Sequence, residues 1–119
     1  MVLEFVNEQM NDLNVPYRFW EWAGDVPQTY FVGEYTETGG NSEDGMIEGE
    51  VTLSGFTRGT YADLDALRDK IYLRFRNGER MVRNGKGVVI TYSHAMTVPT
   101  DLEDVKRMDI YLSTFEWSE

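Results

Sequence analysis

Apolar residues open the chain at helical spacing. Leu3, Val6, Met10 and Leu13 recur with Glu4, Glu8 and Asp12 between them, which predicts a helix with one buried stripe. Asn14 and Pro16 end it, because a proline pushes the residue before it out of helical backbone. The period then changes. Residues 17–22 are aromatic and nearly all β-favouring, and Asp25-Val26-Pro27 follows as a turn, so a strand is expected. On that strand Tyr17 and Phe19 share one face and Trp20 and Trp22 the other. One pair is therefore exposed unless both sheet faces are covered. Residues 29–38 are again β-rich. In residues 46–57, Ile47, Val51 and Leu53 point one way and Glu48, Glu50, Thr52 and Ser54 the other, as in a strand with one wet face. The polar stretch between them predicts a long hairpin with an acidic loop at about residues 38–46.

Thr60, with Asp63 three residues on, starts a second helix through a capping-box pattern. Leu64, Leu67, Ile71 and Phe75 mark its buried stripe over about four turns, and Asn77-Gly78 closes it. Residues 88–97 and 105–116 predict two more strands, the second alternating Met108, Ile110 and Leu112 against Arg107, Asp109 and Tyr111. The expected fold is a single α+β domain over residues 1–119, ordered α-β-β-β-α-β-β: a mostly antiparallel sheet of about five strands with two helices on one face. The Glu48/Glu50/Thr52 face stays open to partners.

Composition narrows the function. The chain has 119 residues, 41% of them hydrophobic, enough for one packed core and too few for two. With no cysteine there is no disulfide, thiolate nucleophile or Cys-ligated metal. The first residues, Met-Val-Leu-Glu-Phe-Val-Asn-Glu, do not read as a secretory signal, and Val88-Val89-Ile90 is too short to span a bilayer, so no membrane association is expected. A net charge of −10 disfavours binding to nucleic acid or anionic lipid. It is unevenly spread: residues 1–57 hold eleven acids against Arg18 alone, and residues 58–119 hold ten acids and ten bases. Within the second half Arg74, Arg76, Arg80, Arg83 and Lys86 oppose only Glu79, a local +4 (five bases less one acid). That run reads either as a solvated helix end leading into a loop or as a contact patch for something acidic.

No catalytic constellation emerges. His94 is the lone histidine, in a β-like run that places it with Tyr92 and Met96, and reads as structural. Setting Gly45 at the invariant glycine of a calcium loop puts Gly40 and Val51 at the first and last ligand positions, where neither offers a carboxylate. Glu48 and Glu50 share a strand face, a pattern too common to signal acid–base catalysis. No glycine-rich phosphate fingerprint is present. The chain is expected to be a binding protein with no enzymatic activity, metal or cofactor.

The stretch Tyr30-Phe31-Val32-Gly33-Glu34-Tyr35-Thr36-Glu37, then Glu43-Asp44-Gly45, then Leu53-Ser54-Gly55-Phe56-Thr57-Arg58-Gly59 leading into Leu64-Asp65-Ala66-Leu67-Arg68-Asp69-Lys70-Ile71, resembles the tail terminator, or tail completion, proteins of long-tailed bacteriophages. The first helix and final strands fit that order too. The resemblance implies a structural virion protein, a hexameric ring that caps the tail tube and joins it to a head-side connector protein while DNA passes through unbound. It would reside in the host cytoplasm during assembly and then at the head-proximal end of the tail. On this reading Glu43, Asp44, Glu48 and Glu50 face the lumen or a neighbouring copy, and Arg76, Arg80, Arg83 and Lys86 lie at a subunit or tube interface. The alternatives are another head–tail connector or head-completion protein, an acidic DNA mimic that inhibits a host DNA-binding protein, or a small hydrolase using Glu48, Glu50 or His94.

Overall fold

The computed structural model describes residues 1–39 and 45–118. Its elements run α1 (Val2–Asp12), β1 (Tyr17–Phe19), β2 (Thr29–Glu37), β3 (Ile47–Thr57), α2 (Tyr61–Phe75), β4 (Glu79–Arg83), β5 (Lys86–Val98) and β6 (Lys106–Ser118). All six strands form one sheet in the order β1-β2-β3-β6-β5-β4. Only β1 pairs in parallel, and every other pairing is antiparallel. The molecule is elongated, 48 × 28 × 25 Å, because strands of 13 residues reach about 40 Å at the usual rise.

Both helices pack on one face of the sheet around a single core. From α1 come Val2, Phe5, Val6 and Met10, from α2 Leu64, Ile71 and Phe75, and from the strands Phe31, Val51, Leu53, Val88, Ile90, Met108, Ile110 and Leu112. The α1 stripe is turned from the expected one: Phe5 is buried and Leu3 is exposed, since the bulkiest apolar side chain of that helix takes the inward position. Leu13 lies past the last turn as the C-cap, and Asn14, in left-handed backbone, turns the chain away. α2 follows its pattern. The Thr60 amide donates to Asp63 Oδ2 at 3.0 Å, and Gly78 at φ 83° ends the helix.

Three strand expectations need correction. The sheet has a sixth strand, β4, where a helix end and an open loop were expected. The Asn84-Gly85 pair at φ 55° and 76° forms a tight hairpin that folds Glu79–Arg83 back onto β5. The 17–22 strand stops at Phe19, because Trp20 enters left-handed backbone at φ 74° and breaks the alternation of Trp20 with Trp22. A bulge between Tyr92 and His94 moves His94 to the face opposite Tyr92. Tyr92 meets the Tyr72 ring of α2 edge-on at 5.1 Å, whereas His94 stacks on Tyr111 at 4.4 Å.

The strand glycines share one role. Rings of Tyr17, Tyr35, Phe31 and Trp117 lie against Gly33, Gly49, Gly55 and Gly87, so closely that a Cβ there would meet each ring within 2.7 Å. Each missing side chain is filled by a neighbouring strand's aromatic.

Candidate interaction surface

The sheet face opposite the helices carries rows set by strand register. At one end Tyr30, Phe56, Arg107 and Val98 lie side by side, then Val32, Ser54, Asp109 and Met96, then Glu34, Thr52, Tyr111 and His94. Further along come Thr36, Glu50, Ser113 and Thr91, then Glu48, Phe115, Val89 and Arg80. A run of three rings with a cation at each end crosses the first end. Arg18 sits 4.7 Å over Trp22, Trp22 is 5.5 Å from Tyr30, Tyr30 stacks at 5.5 Å on Phe56, and Arg107 lies 5.4 Å over Phe56. Arg107 is held by two hydrogen bonds to the buried Asp109 carboxylate, at 3.0 and 3.1 Å.

Apart from Arg18 on β1 and Arg107 on β6, charge is sorted across this face by the strand order. Glu34, Glu48 and Glu50 project from β2 and β3, while Arg80 projects from β4 at the opposite edge and covers the Trp117 ring at 5.1 Å. Glu48 is exposed and Glu50 half-buried, so the expected acidic face exists but is only partly wet. Glu43 and Asp44 lie outside the described residues. The basic run is divided. Arg74 pairs with Asp12 at 2.8 Å and also bonds Gln9. Arg83 reaches Glu8 at 3.2 Å, which clips the β4 hairpin to α1. Arg76 caps α2 and, like Lys86 at the hairpin turn, is exposed with no ion pair among the described residues.

Among the described residues both lateral edges of the sheet are open. β4 pairs with β5 alone, and its other side meets no strand among the described residues. At the far edge β1 covers β2 only from Phe31 to Gly33, with the Trp20 amide donating to Gly33 O at 2.7 Å, so Glu34–Glu37 present an unpaired edge. Trp20, 67% exposed, and Phe19, 41% exposed, stand at the point where that edge opens; Val82 on β4 is 49% exposed. The sequence pattern shows neither edge, and it marks Trp20 as a residue to be covered or exposed without showing its left-handed backbone. The Asn84-Gly85 dipeptide was the available signal for one, and the other required knowing where β1 stops.

Two of the hollows among the described residues are roomy, one beside α1 and one on the face itself. A groove of about 450 Å³ between α1 and β1 is lined by Asn7, Asn11, Asn14, Tyr17, Arg18 and Trp22 among others. One of about 490 Å³ lies over Tyr30 and Phe56 beside Leu102, Val105 and Arg107. Neither lining joins a nucleophile to a general base. His94 is exposed, with Ser93 Oγ 2.9 Å from its Nδ1 and no carboxylate bonded to the ring among the described residues. The same residues hold no cluster of acids and histidine suited to a metal, and no helix among them is long and apolar enough to cross a membrane. The chain matches no protein-family model and no curated protein.

Proposed function

We propose that this chain is a structural subunit that works by contact with copies of itself and, following its resemblance to phage tail terminators, that it caps the tail tube as a ring and joins it to the head. The observation that carries this reading is the separation of charge on one sheet. Acids on β2 and β3 and a base on β4 sit at opposite sides, and both edges are unpaired among the described residues. A unit with complementary opposite sides associates head to tail, and a head-to-tail contact that closes makes a ring. The acidic residues Glu48 and Glu50 would then line the passage or meet a neighbour, and a lumen of that sign lets DNA slide without adhering. Arg80 and Arg83 lie at the subunit joint, and Arg76 and Lys86 are free to meet the tube or the head-side connector.

The test is to mix purified protein with uncapped tail tubes and examine tube ends by electron microscopy. Capped tubes of arrested length are expected. Tubes that elongate as if nothing had been added would refute the reading. A DNA mimic would instead compete with DNA for a host DNA-binding protein; the cations of Arg18 and Arg107 interrupt the acids on the same face and disfavour it.

A further inference from the structure

We propose that the joint between copies is a continuous β-sheet: β4 of one copy adds in parallel to the open half of β2 of the next, with Arg80 beside Glu34, Met81 beside Tyr35, Val82 beside Thr36 and Arg83 beside Glu37. This rests on the self-association reading above and specifies its contact.

Direction, side-chain face and charge each fit this register independently. Four successive antiparallel pairings separate β2 from β4, so the two strands run the same way. A rotation about a ring axis that lies along the strands preserves that direction, and the added pair is parallel. Glu34 and Thr36 project from the face away from the helices, as do Arg80 and Val82. Tyr35 and Met81 are both half-buried and both pack against the edge of the core. The join therefore sets polar or exposed residues beside one another on one face and extends the apolar layer on the other. Two acids meet two arginines, Glu34 with Arg80 and Glu37 with Arg83, the latter shared with Glu8 of its own copy. The lengths match as well, four open residues on β2 against the five of β4. An unpaired edge of this kind recruits another strand through its free amides and carbonyls.

Trp20 marks the boundary. A large residue at φ 74° is a strained choice, since glycine takes that backbone without cost. Its conformation ends β1 and leaves the β2 edge vacant from Glu34, and its exposed indole stands beside the arriving strand as an anchor. The contact is heterologous: β4 is used on one side of each copy and β2 on the other, so it repeats without two copies exhausting it.

Because the chain has no cysteine, the joint can be read by disulfide trapping. Neighbouring strands lie about 4.8 Å apart, within the span a disulfide bridges. The variant carrying Thr36→Cys and Val82→Cys should form a ladder of cross-linked multimers on mild oxidation. An equal mixture of the two single variants should stop at dimers, and each single variant alone should stay uncross-linked. Glu34→Arg and Arg80→Glu should each weaken association roughly tenfold by sedimentation, the scale of replacing an attractive pair by a repulsive one, and the double variant should recover it. Trp20→Gly should weaken association while its melting temperature holds or rises, which separates the anchor from a folding role.

Efficient cross-linking of Val82→Cys with itself, or no recovery in the double charge variant, would overturn the joint. So would a parent chain that remains monomeric at millimolar concentration. Capped tubes with no 36–82 cross-link would leave the tail reading standing without this joint. Cross-linked multimers that ignore tubes would leave the joint without the tail reading.

Discussion

Tyr17 carries its hydroxyl against Gly33 with no hydrogen-bond partner among the described residues, and burial pushes its pKa from 10.0 up to about 12. The folded state thus holds this proton more tightly than the unfolded chain does. The resulting stabilisation is complete below about pH 10 and disappears as pH rises through about 12. Tyr17→Phe should be at least as stable as the parent at neutral pH, since it removes a buried hydroxyl that lacks a partner. It should also lose less stability between pH 9 and 12, by up to roughly 3 kcal/mol. Denaturant titrations at a series of pH values check both, and identical alkaline declines would contradict the assignment. A second prediction concerns the ring–glycine pairs. A Cβ on Gly55 would lie 2.4 Å from Phe31, which is fully buried and cannot yield, so Gly55→Ala should cost about 1–3 kcal/mol. Gly87→Ala meets Trp117 at 2.2 Å, but that ring is only half-buried and can swing outward, so its melting temperature should fall less.

Among the elements, the β4–β5 hairpin is held by its turn and by the Glu8–Arg83 clip to α1. Gly85→Ala places a side chain at φ 76° and should cost about 1 kcal/mol, with hydrogen exchange rising first at the amides of β4 that bond to β5. This hairpin also shows where the amino-acid sequence was informative. Strong periodicity revealed α2, β3 and β6, because each buries one face against a uniform layer and its alternation is fixed by that layer. β4 carries four charged or exposed residues of its five and packs little, so it shows no hydrophobic period; only Asn84-Gly85 announces it. The Tyr92/His94 bulge and the left turn at Trp20 leave no mark in an alternating pattern, since each is an irregularity of the backbone and not of the residue types. For the candidate surface, the charge split between the halves was legible. Its conversion into opposed edges came from the strand order, which places the third strand beside the last.

For the whole molecule, a charge of −10 sets the behaviour toward polyanions. Duplex DNA should not be retarded by the protein in gel mobility assays near physiological salt, and micromolar retention would argue against an acidic passage. The sheet's centre has a consequence for how the chain is made. β6, the last strand, lies between β3 and β5 and pairs with both along eleven or more residues, bridging segments about a third of the chain apart. While the chain is being synthesised, β2 and β3 can form a hairpin and α2 can coil, but no strand pairs β3 with β5 until β6 has emerged. Folding of the sheet is therefore limited by one long-range closure. A nascent chain stalled before Lys106 should be digested by protease as two loose halves, whereas one extended past Ser118 by a tethering linker should resist. Until that strand arrives, the edges of β3 and β5 that will form the middle of the sheet stand open together, and crowded nascent chains on one messenger are poised to exchange their final strands.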